Sequence, residues 1–269
     1  MSQSNKILMV NADDFGWSES VNRGIVDCFK NGIVTSTSLL ATGEAFGHAV
    51  KLSTESPGLR VGVHLNFYRG TALLPESGQL PGSVSKFVTG MLCGKYKTEQ
   101  IEQEFRAQIK KVISAGIKID HLNSEKHLHL WPSLFRIVAR LAEEYKIGYV
   151  RIVTEDFSIT PVALPLTLLS LYNHKIVETS DFKVSDQTMG VTESPTSLLK
   201  LDRILAGGGE GLTELVVHPG YLDEGFWDLQ KKVNNKLTYS REAEAKVLGS
   251  VEAKNLVTKY GYTLDRHTA

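Results

Sequence analysis

A (β/α)-barrel-like α/β fold is what this sequence predicts, and three observations carry the prediction. Short apolar runs of strand character alternate with amphipathic helical stretches along the chain. Several of those runs end on His, Asp, Asn or Arg. The chain has 269 residues, 42% of them hydrophobic, which is enough to enclose a large core. Alternating strands and helices favour a mostly parallel sheet with right-handed crossovers. Ligands collect at the carboxyl ends of such strands in barrels and open sheets alike. Length favours a barrel with fewer or distorted strands, and the pattern leaves an open sheet as the alternative.

The first strand is Ile7-Leu8-Met9-Val10, which runs into Asn11, Ala12, two adjacent carboxylates (Asp13 and Asp14) and a Phe15-Gly16 turn. Ser18 is a suitable N-cap with Glu19 in the first turn. Val21, Ile25, Val26 and Phe29 then recur at helical spacing until Asn31-Gly32. Ile33 to Ala41 reads as a second strand, Ala45 to Leu52 as a short helix, and Leu59 to Asn66 as a third strand ending on His64 and Asn66. Residues 67–97 lack clear periodicity and are expected to form a lid or binding loop.

Thr98 opens a helix whose apolar face is Ile101, Phe105, Ile109, Val112 and Ile113, closed by Gly116. Ile117 to Asn123 is the fourth strand, leading into Glu125, His127 and His129. Pro132 starts the next helix, with Leu134, Phe135, Val138, Leu141 and Ala142 as its buried stripe. Gly148 to Val153 is a fifth strand carrying Arg151. The pattern then weakens: Pro161 to Tyr172 reads as a buried helix and Ala206 to Gly211 as a turn. Thr213 to Val217 is a strand entering His218-Pro219-Gly220, and Ser240 begins a last helix ended by Gly261. No repeat or low-complexity segment interrupts this order, so residues 1–269 are expected to form a single domain.

Lys plus Arg equals Asp plus Glu, 30 against 30, which argues against a nucleic-acid partner or a polybasic membrane patch. The longest apolar candidate, Pro161 to Tyr172, contains two prolines and is too short to span a bilayer. No signal-peptide pattern opens the chain, and Cys28 and Cys93 are too few for a disulfide framework. The expectation is a cytoplasmic protein with Cys28 as a buried free thiol. Phe226 and Trp227 read as exposed aromatics, suited to a homodimer contact or to stacking on a sugar ring.

The chemistry concentrates at strand ends. Adjacent carboxylates repel, and burying them is costly unless a cation compensates; the competing reading is that they cap the following helix. One carboxylate and two imidazoles with open positions is a common arrangement for a hydrolytic metal ion. His64 is either a ligand or a hydrogen-bonded core residue. His127 and His129 share a face if their segment is extended, and otherwise belong to a solvated turn. His121 opens the same segment and suits a supporting position. His218 is either a loop residue or a catalytic acid, while His48, His174 and His267 lack supporting context.

Four motifs, in this order, resemble the YdjC/ChbG family of carbohydrate deacetylases, whose hopanoid-biosynthesis branch belongs with it. They are Asn11-Ala12-Asp13-Asp14-Phe15-Gly16, Gly62-Val63-His64, Asp120-His121-Leu122-Asn123 leading to His127-Leu128-His129, and His218-Pro219-Gly220. The resemblance runs from about Lys6 to Leu264. It implies a barrel-like fold, a divalent metal and removal of N-acetyl groups from N-acetylglucosamine-type sugars. Carried onto this chain, it makes Asp14, His64 and His127 the metal ligands and Asp13 the general base, the two aspartates being interchangeable at this stage. His218 is the expected acid for the leaving amine. Asn11, Asn66, Glu125, His129 and Arg151 are the expected substrate contacts, Arg151 alternatively orienting Asp13 or forming a structural ion pair. Many relatives carry a further His where this chain has Glu125.

Two imidazoles and a carboxylate suit Zn2+, while the family association includes Mg2+. The substrate implied is an N-acetylated oligosaccharide or glycolipid. A hydrolase of another amide or ester is the nearest rival, and a non-catalytic sugar-binding barrel is the second. A dinucleotide-binding fold is set aside because no Gly-rich fingerprint follows the first strand.

Overall fold

The computed structural model describes residues 6–155, 163–232 and 241–265. The expected helix start at Pro161, the cap at Ser240 and the residue His267 lie outside the described residues. The elements run β1 (Lys6–Phe15), α1 (Glu19–Asn31), β2 (Ser36–Leu39), α2 (Phe46–Thr54), β3 (Arg60–Leu65) and α3 (Val84–Leu92). They continue with α4 (Thr98–Ser114), β4 (Ile119–Ser124), α5 (Pro132–Glu144), β5 (Tyr149–Val150), α6 (Leu164–Glu178) and β6 (Gln187–Met189). The chain closes with α7 (Leu198–Ala206), β7 (Gly211–Val217), α8 (Glu224–Lys232), α9 (Arg241–Leu248), α10 (Val251–Lys259) and β8 (Tyr262–Leu264).

All pairings among these strands are parallel, in the order β5-β4-β3-β2-β1-β7-β6, with β8 beside the start of β1. β1 is therefore the centre, as its uninterrupted apolar run requires: Leu8, Val10 and Ala12 are fully buried. The sheet curls into an incompletely closed barrel. Its two ends approach closely enough for the Thr188 hydroxyl near β6 to donate to the Ile152 carbonyl beyond β5 at 2.8 Å. Helices cover the outside through the stripes their periodicity indicates, including Ile101, Phe105 and Ile109 of α4 and Leu134, Phe135 and Val138 of α5. No helix among the described residues is long and apolar enough to cross a membrane.

The local signals act as their chemistry demands. Ser18 caps α1, its hydroxyl accepting from the Val21 amide at 3.2 Å, and Pro132 opens α5. Cys28 is buried in α1, where burial pushes its thiol up to about 12. Five expectations change. The segment 67–97 contains a 3-10 turn at Pro75–Ser77 and α3, whose start is capped by Ser83 accepting from the Lys86 amide at 3.2 Å. β2 and β5 are shorter than their apolar runs, because only Ser36–Leu39 and Tyr149–Val150 keep ladder register. The final helix is two, broken at Gly249 where Ser250 caps α10. α7, α8, β6 and β8 fill stretches whose pattern gave no assignment. Phe226 is only 3% exposed, so of the two aromatics only Trp227 presents a surface.

Candidate active site

The barrel's carboxyl-end cavity, about 480 Å³, is lined by Asp13, Asp14, His64, Glu125, His127 and His218 among others. Two adjacent side chains on a strand normally point to opposite faces. Here the pairing of β1 with β2 shifts register between Ala12 and Phe15, and Asp14 adopts φ 73°. That bulge re-aims Asp14, so both carboxylates reach the same cavity. Gly16, at φ 90°, completes the turn in a conformation that costs glycine little.

Neighbouring strands add a hydrogen-bonded layer beneath Asp13. Its Oδ1 accepts from Asn11 Nδ2 at 2.8 Å and Asn123 Nδ2 at 3.0 Å. Arg151 closes on it with two bonds, Nη1 to Oδ2 at 2.7 Å and Nη2 to Oδ1 at 3.0 Å. Arg151 is fully buried, and its Nε donates to Glu214 Oε1 at 2.8 Å. Ser38 Oγ accepts from Asn11 and Asn123, leaving its own proton for His121 Nε2 at 2.9 Å. His121 Nδ1 then donates to Asp120 Oδ2 at 2.9 Å. Gly62 makes room for this imidazole: a Cβ there would lie 2.3 Å from the His121 ring.

The same network selects a tautomer for His64. Both Asn123 amide protons are committed to Asp13 and Ser38, so its Oδ1 faces His64 Nδ1 at 2.7 Å and must accept. His64 therefore carries its proton on Nδ1 and turns a lone pair on Nε2 toward Asp14 Oδ1, 3.8 Å away. β3 and β4 pair with His64 opposite Asn123, which explains the contact.

The His127 and His129 segment is not extended. Lys126 and His127 both take left-handed backbone conformations, φ 54° and 55°, inside 3-10 turns spanning Glu125–Leu130. The two imidazoles consequently diverge. His127 lines the cavity, and its buried Nδ1 has no hydrogen-bond partner among the described residues. His129 turns inward: Nε2 donates to the Arg151 carbonyl at 2.8 Å and Nδ1 accepts from Ser124 Oγ at 2.7 Å. Of the four non-glycine residues described with positive φ, three (Asp14, Lys126 and His127) line this cavity. Each costs on the order of 1–3 kcal/mol, a strain that clusters where function over-determines the backbone.

Charge is arranged to hold ionised acids and neutral imidazoles. Burial pushes Asp13 up, but Arg151, followed by His64 and His218, holds its carboxyl well below the usual range. Burial likewise opposes the ionisation of Asp14, and the cations of Arg241 and Arg69 more than offset it. Burial drives His127 well below its ordinary value, takes His129 to about 3 and takes His218 to about 4, so all three are neutral near pH 7. Glu125 is raised by burial, with Arg69 Nε at 2.6 Å opposing.

Several residues expected as substrate contacts are buried in hydrogen bonds within the protein. Asn11 and His129 are fully buried, with Asn11 Nδ2 donating to Ser38 and Asp13 and both His129 ring nitrogens engaged by Ser124 and Arg151. Arg151 orients Asp13 from below. Asn66 shapes the following loop, donating to Thr42 Oγ1 and the Arg69 carbonyl, each at 2.8 Å. Glu125 does line the cavity. Four contributors escaped sequence reasoning: Arg69, Arg241, Glu214 and Glu244. Arg241, from α9, bonds Asp14 Oδ2, and Glu244, one turn on, accepts from the His218 amide at 2.7 Å. Glu214, an acid inside an otherwise apolar strand, was the one readable signal among them.

A divalent metal is tested by these donors. His127 offers an orphaned buried nitrogen, and His64 Nε2 offers a lone pair fixed by its neighbour. Two ligands of one ion at bond lengths near 2.1 Å lie roughly 3.0–3.4 Å apart, close to the 3.8 Å between His64 Nε2 and Asp14 Oδ1. Among the described residues no group of three His, Cys, Asp or Glu side chains is drawn together tightly enough to hold a metal in this conformation, where Arg241 occupies Asp14 Oδ2. The donor types and the His64 tautomer suit a divalent ion, and Asp14 Oδ1 is the carboxylate oxygen that faces His64 Nε2.

Comparison with known proteins agrees with this architecture. A carbohydrate deacetylase of Brevibacillus brevis is 32% identical over 255 residues, covering 93% of this chain and 94% of its own. A chitooligosaccharide deacetylase of Salmonella schwarzengrund is 31% identical, covering 96% of each. Among solved structures, an Enterococcus faecalis protein named for cellobiose-phosphate cleavage superposes with a TM-score of 0.76 at 26% identity, covering 97% of both chains. A family 4 carbohydrate esterase from Streptomyces lividans shares the fold, with a TM-score of 0.52 at 9% identity over 97% of this chain and 92% of that one. The model of the YdjC-like protein family matches residues 7–259, and this chain belongs to that family.

Proposed function

We propose that this protein is a metal-dependent carbohydrate N-deacetylase, hydrolysing the acetamide of an N-acetylglucosamine-containing oligosaccharide or glycoconjugate. The observation that carries the reading is the pairing of an Arg-clamped Asp13 with a neutral His218, 4.0 Å from Asp13 Oδ2, beside the His64, His127 and Asp14 donors. The relatives named as carbohydrate and chitooligosaccharide deacetylases supply the substrate class. Asp14, His64 and His127 would hold one divalent ion, Zn2+ or Mg2+, which supplies Lewis-acid polarisation of the acetyl carbonyl and a more acidic water.

The chain's own residues then handle the protons. Asp13 takes one proton from the attacking water as its oxygen bonds to the acetyl carbon. That proton passes to His218, whose neutral state makes it a ready acceptor and whose imidazolium is stabilised by Asp13 and Asp14. The C–N bond breaks as His218 delivers the proton to the departing amine, releasing acetate and the free amino sugar. Arg151 and Asn123 keep Asp13 ionised and aimed, and Glu244 anchors the His218 backbone. The whole chain acts as one deacetylase domain in this reading, with the 67–97 segment framing the entrance through Arg69 and Val84.

Acetate release from N-acetylated chito-oligomers, measured against simple amides and esters on the same protein, tests the reading. Release from the sugars alone is expected. Turnover of simple amides with silence on every sugar would move the site to the rival hydrolase class.

A further inference from the structure

A chain of hydrogen bonds leaves the candidate site and crosses the barrel to its opposite end. His64 Nδ1 donates to Asn123 Oδ1 at 2.7 Å, and Asn123 Nδ2 donates onward to Ser38 Oγ at 2.7 Å. Ser38 donates to His121 Nε2, and His121 Nδ1 to Asp120 Oδ2, each at 2.9 Å. Asp120 does not line the catalytic cavity. It lies with Arg60 in the wall of cavities at the amino ends of the strands, and Arg60 Nη1 is 3.7 Å from its Oδ1.

The backbone is built for this crossing. Between the pairs Val61–Ile119 and Val63–Leu122, β4 carries one residue more than β3, so Asp120 and His121 share the stretch opposite Gly62. Such a bulge re-aims side chains, and these neighbours, which would point apart on a regular strand, are joined by a hydrogen bond. His121 then reaches from β4 across β3 to Ser38 on β2, passing over Gly62, where a Cβ would collide with its ring.

The donors align in one direction only. A carboxylate accepts and does not donate, so Asp13 turns the Nδ2 of both Asn11 and Asn123 toward itself. The same two amides fill both lone pairs of Ser38 Oγ. The Ser38 proton must then go to His121 Nε2, which requires His121 to carry its own proton on Nδ1. Asp120 receives that proton's hydrogen bond. Burial opposes the charge on Asp120, and His121, Arg60 and Lys118 more than offset it, so the chain ends on an ionised acceptor. A proton on His121 Nε2 instead would bring a third donor to Ser38, and one of the amides beneath Asp13 would have to yield.

We propose that Asp120 is a distal positioning residue, which fixes through His121 and Ser38 the direction of the hydrogen bonds that hold Asp13 and His64. It keeps the His64 lone pair on Nε2 from the far end of the barrel, as a carboxylate behind a ligating histidine does at closer range. The inference rests on the deacetylase reading for the tasks of Asp13 and His64, and its test reads proton positions rather than turnover.

Long-range proton–nitrogen NMR spectra of the full, metal-free chain report which ring nitrogen of each histidine is protonated. In wild-type protein, His64 and His121 are both expected to carry the proton on Nδ1. Asp120→Asn changes almost no volume. Arg60 keeps the amide oxygen on its own side, so Nδ2 donates to His121 where the carboxylate accepted. The His121 proton is expected to move to Nε2 and the His64 proton to spread over both nitrogens. Zn2+ affinity by calorimetry should fall about tenfold, the lower end of what an outer-shell partner contributes. Ser38→Ala cuts the chain midway, so adding Asp120→Asn to it should cost less than about twofold more, whereas independent sites add in full. His121 protonated on Nε2 in wild type overturns the proposal. So do unchanged His64 signals in Asp120→Asn, or a double variant that loses the product of the single effects. Asp120→Leu, which removes the acceptor without supplying a donor, repeats the test if Asp120→Asn does not fold. If wild-type protein binds no Zn2+, the metal reading fails and the spectra decide the role of Asp120 alone.

Discussion

Replacing Arg151 by Met probes the group on which the candidate site is built. The guanidinium is fully buried between two carboxylates, with two bonds to Asp13 and one from Nε to Glu214 Oε1 at 2.8 Å. Methionine approximates its volume but strands Asp13 and Glu214 without a cation, and breaking a buried pair in this way costs about 3–5 kcal/mol. Domains are stable by only about 5–15 kcal/mol, so the loss is a large share of the whole. At roughly 2–4 °C per kcal/mol for chains of this size, the thermal midpoint should fall by roughly 6–20 °C. Glu214→Gln added to Arg151→Met removes one stranded charge while leaving an oxygen to accept from Tyr149, which bonds Glu214 at 2.6 Å. The double variant should regain at least about 1 kcal/mol over the single one in urea unfolding, a coupling that adjacent sites show. Catalysis should not return with stability, because Asp13 still lacks its clamp. A loss below about 1 kcal/mol in Arg151→Met, or simple additivity of the two changes, would refute the buried-triad argument.

Two other outcomes follow from the same geometry. Asn123→Ala removes the acceptor that fixes the His64 proton on Nδ1, so divalent-metal affinity measured by calorimetry should fall by about 10–100-fold, while unchanged affinity would dissociate the tautomer from the site. Stability should also decline as pH drops from about 6.5 to 5. The unfolded chain protonates its histidines near 6.5, whereas burial keeps His218 neutral to about 4 and His129 to about 3, so the unfolded state binds more protons in that window. Each contributes a loss on the order of 2 kcal/mol at pH 5, partly opposed by Glu125 and Glu244, whose carboxyls burial raises. A urea midpoint that stays flat between pH 7 and 5 would contradict the burial of those imidazoles.

Much of this arrangement is legible in the chain because strand ends announce themselves. The Asp13-Asp14 pair, His64 and His218 each follow an apolar run, and a parallel sheet sends such residues to one rim. What stays hidden depends on backbone conformation or distance. The alternation of His127 and His129 implied a shared face, but consecutive left-handed residues at 126 and 127 separate them. Asn11 and Arg151 occupy positions suited to a ligand, yet complete burial turns them into supports for Asp13. Arg241 meets Asp14 from 227 positions away through a helix whose sequence carries only ordinary amphipathic character. The α3 stripe of Val84, Phe87, Val88 and Met91 has helical spacing, masked by the glycines, prolines and serines around it.

The most direct test of the proposed function is acetate release from N,N'-diacetylchitobiose and longer chito-oligomers, run with and without a chelator beside His64→Ala. The account predicts release that stops on chelation, returns when Zn2+ or Mg2+ is restored, and is abolished by the substitution. Undiminished release from chelated protein, or from a folded His64→Ala variant, would contradict it.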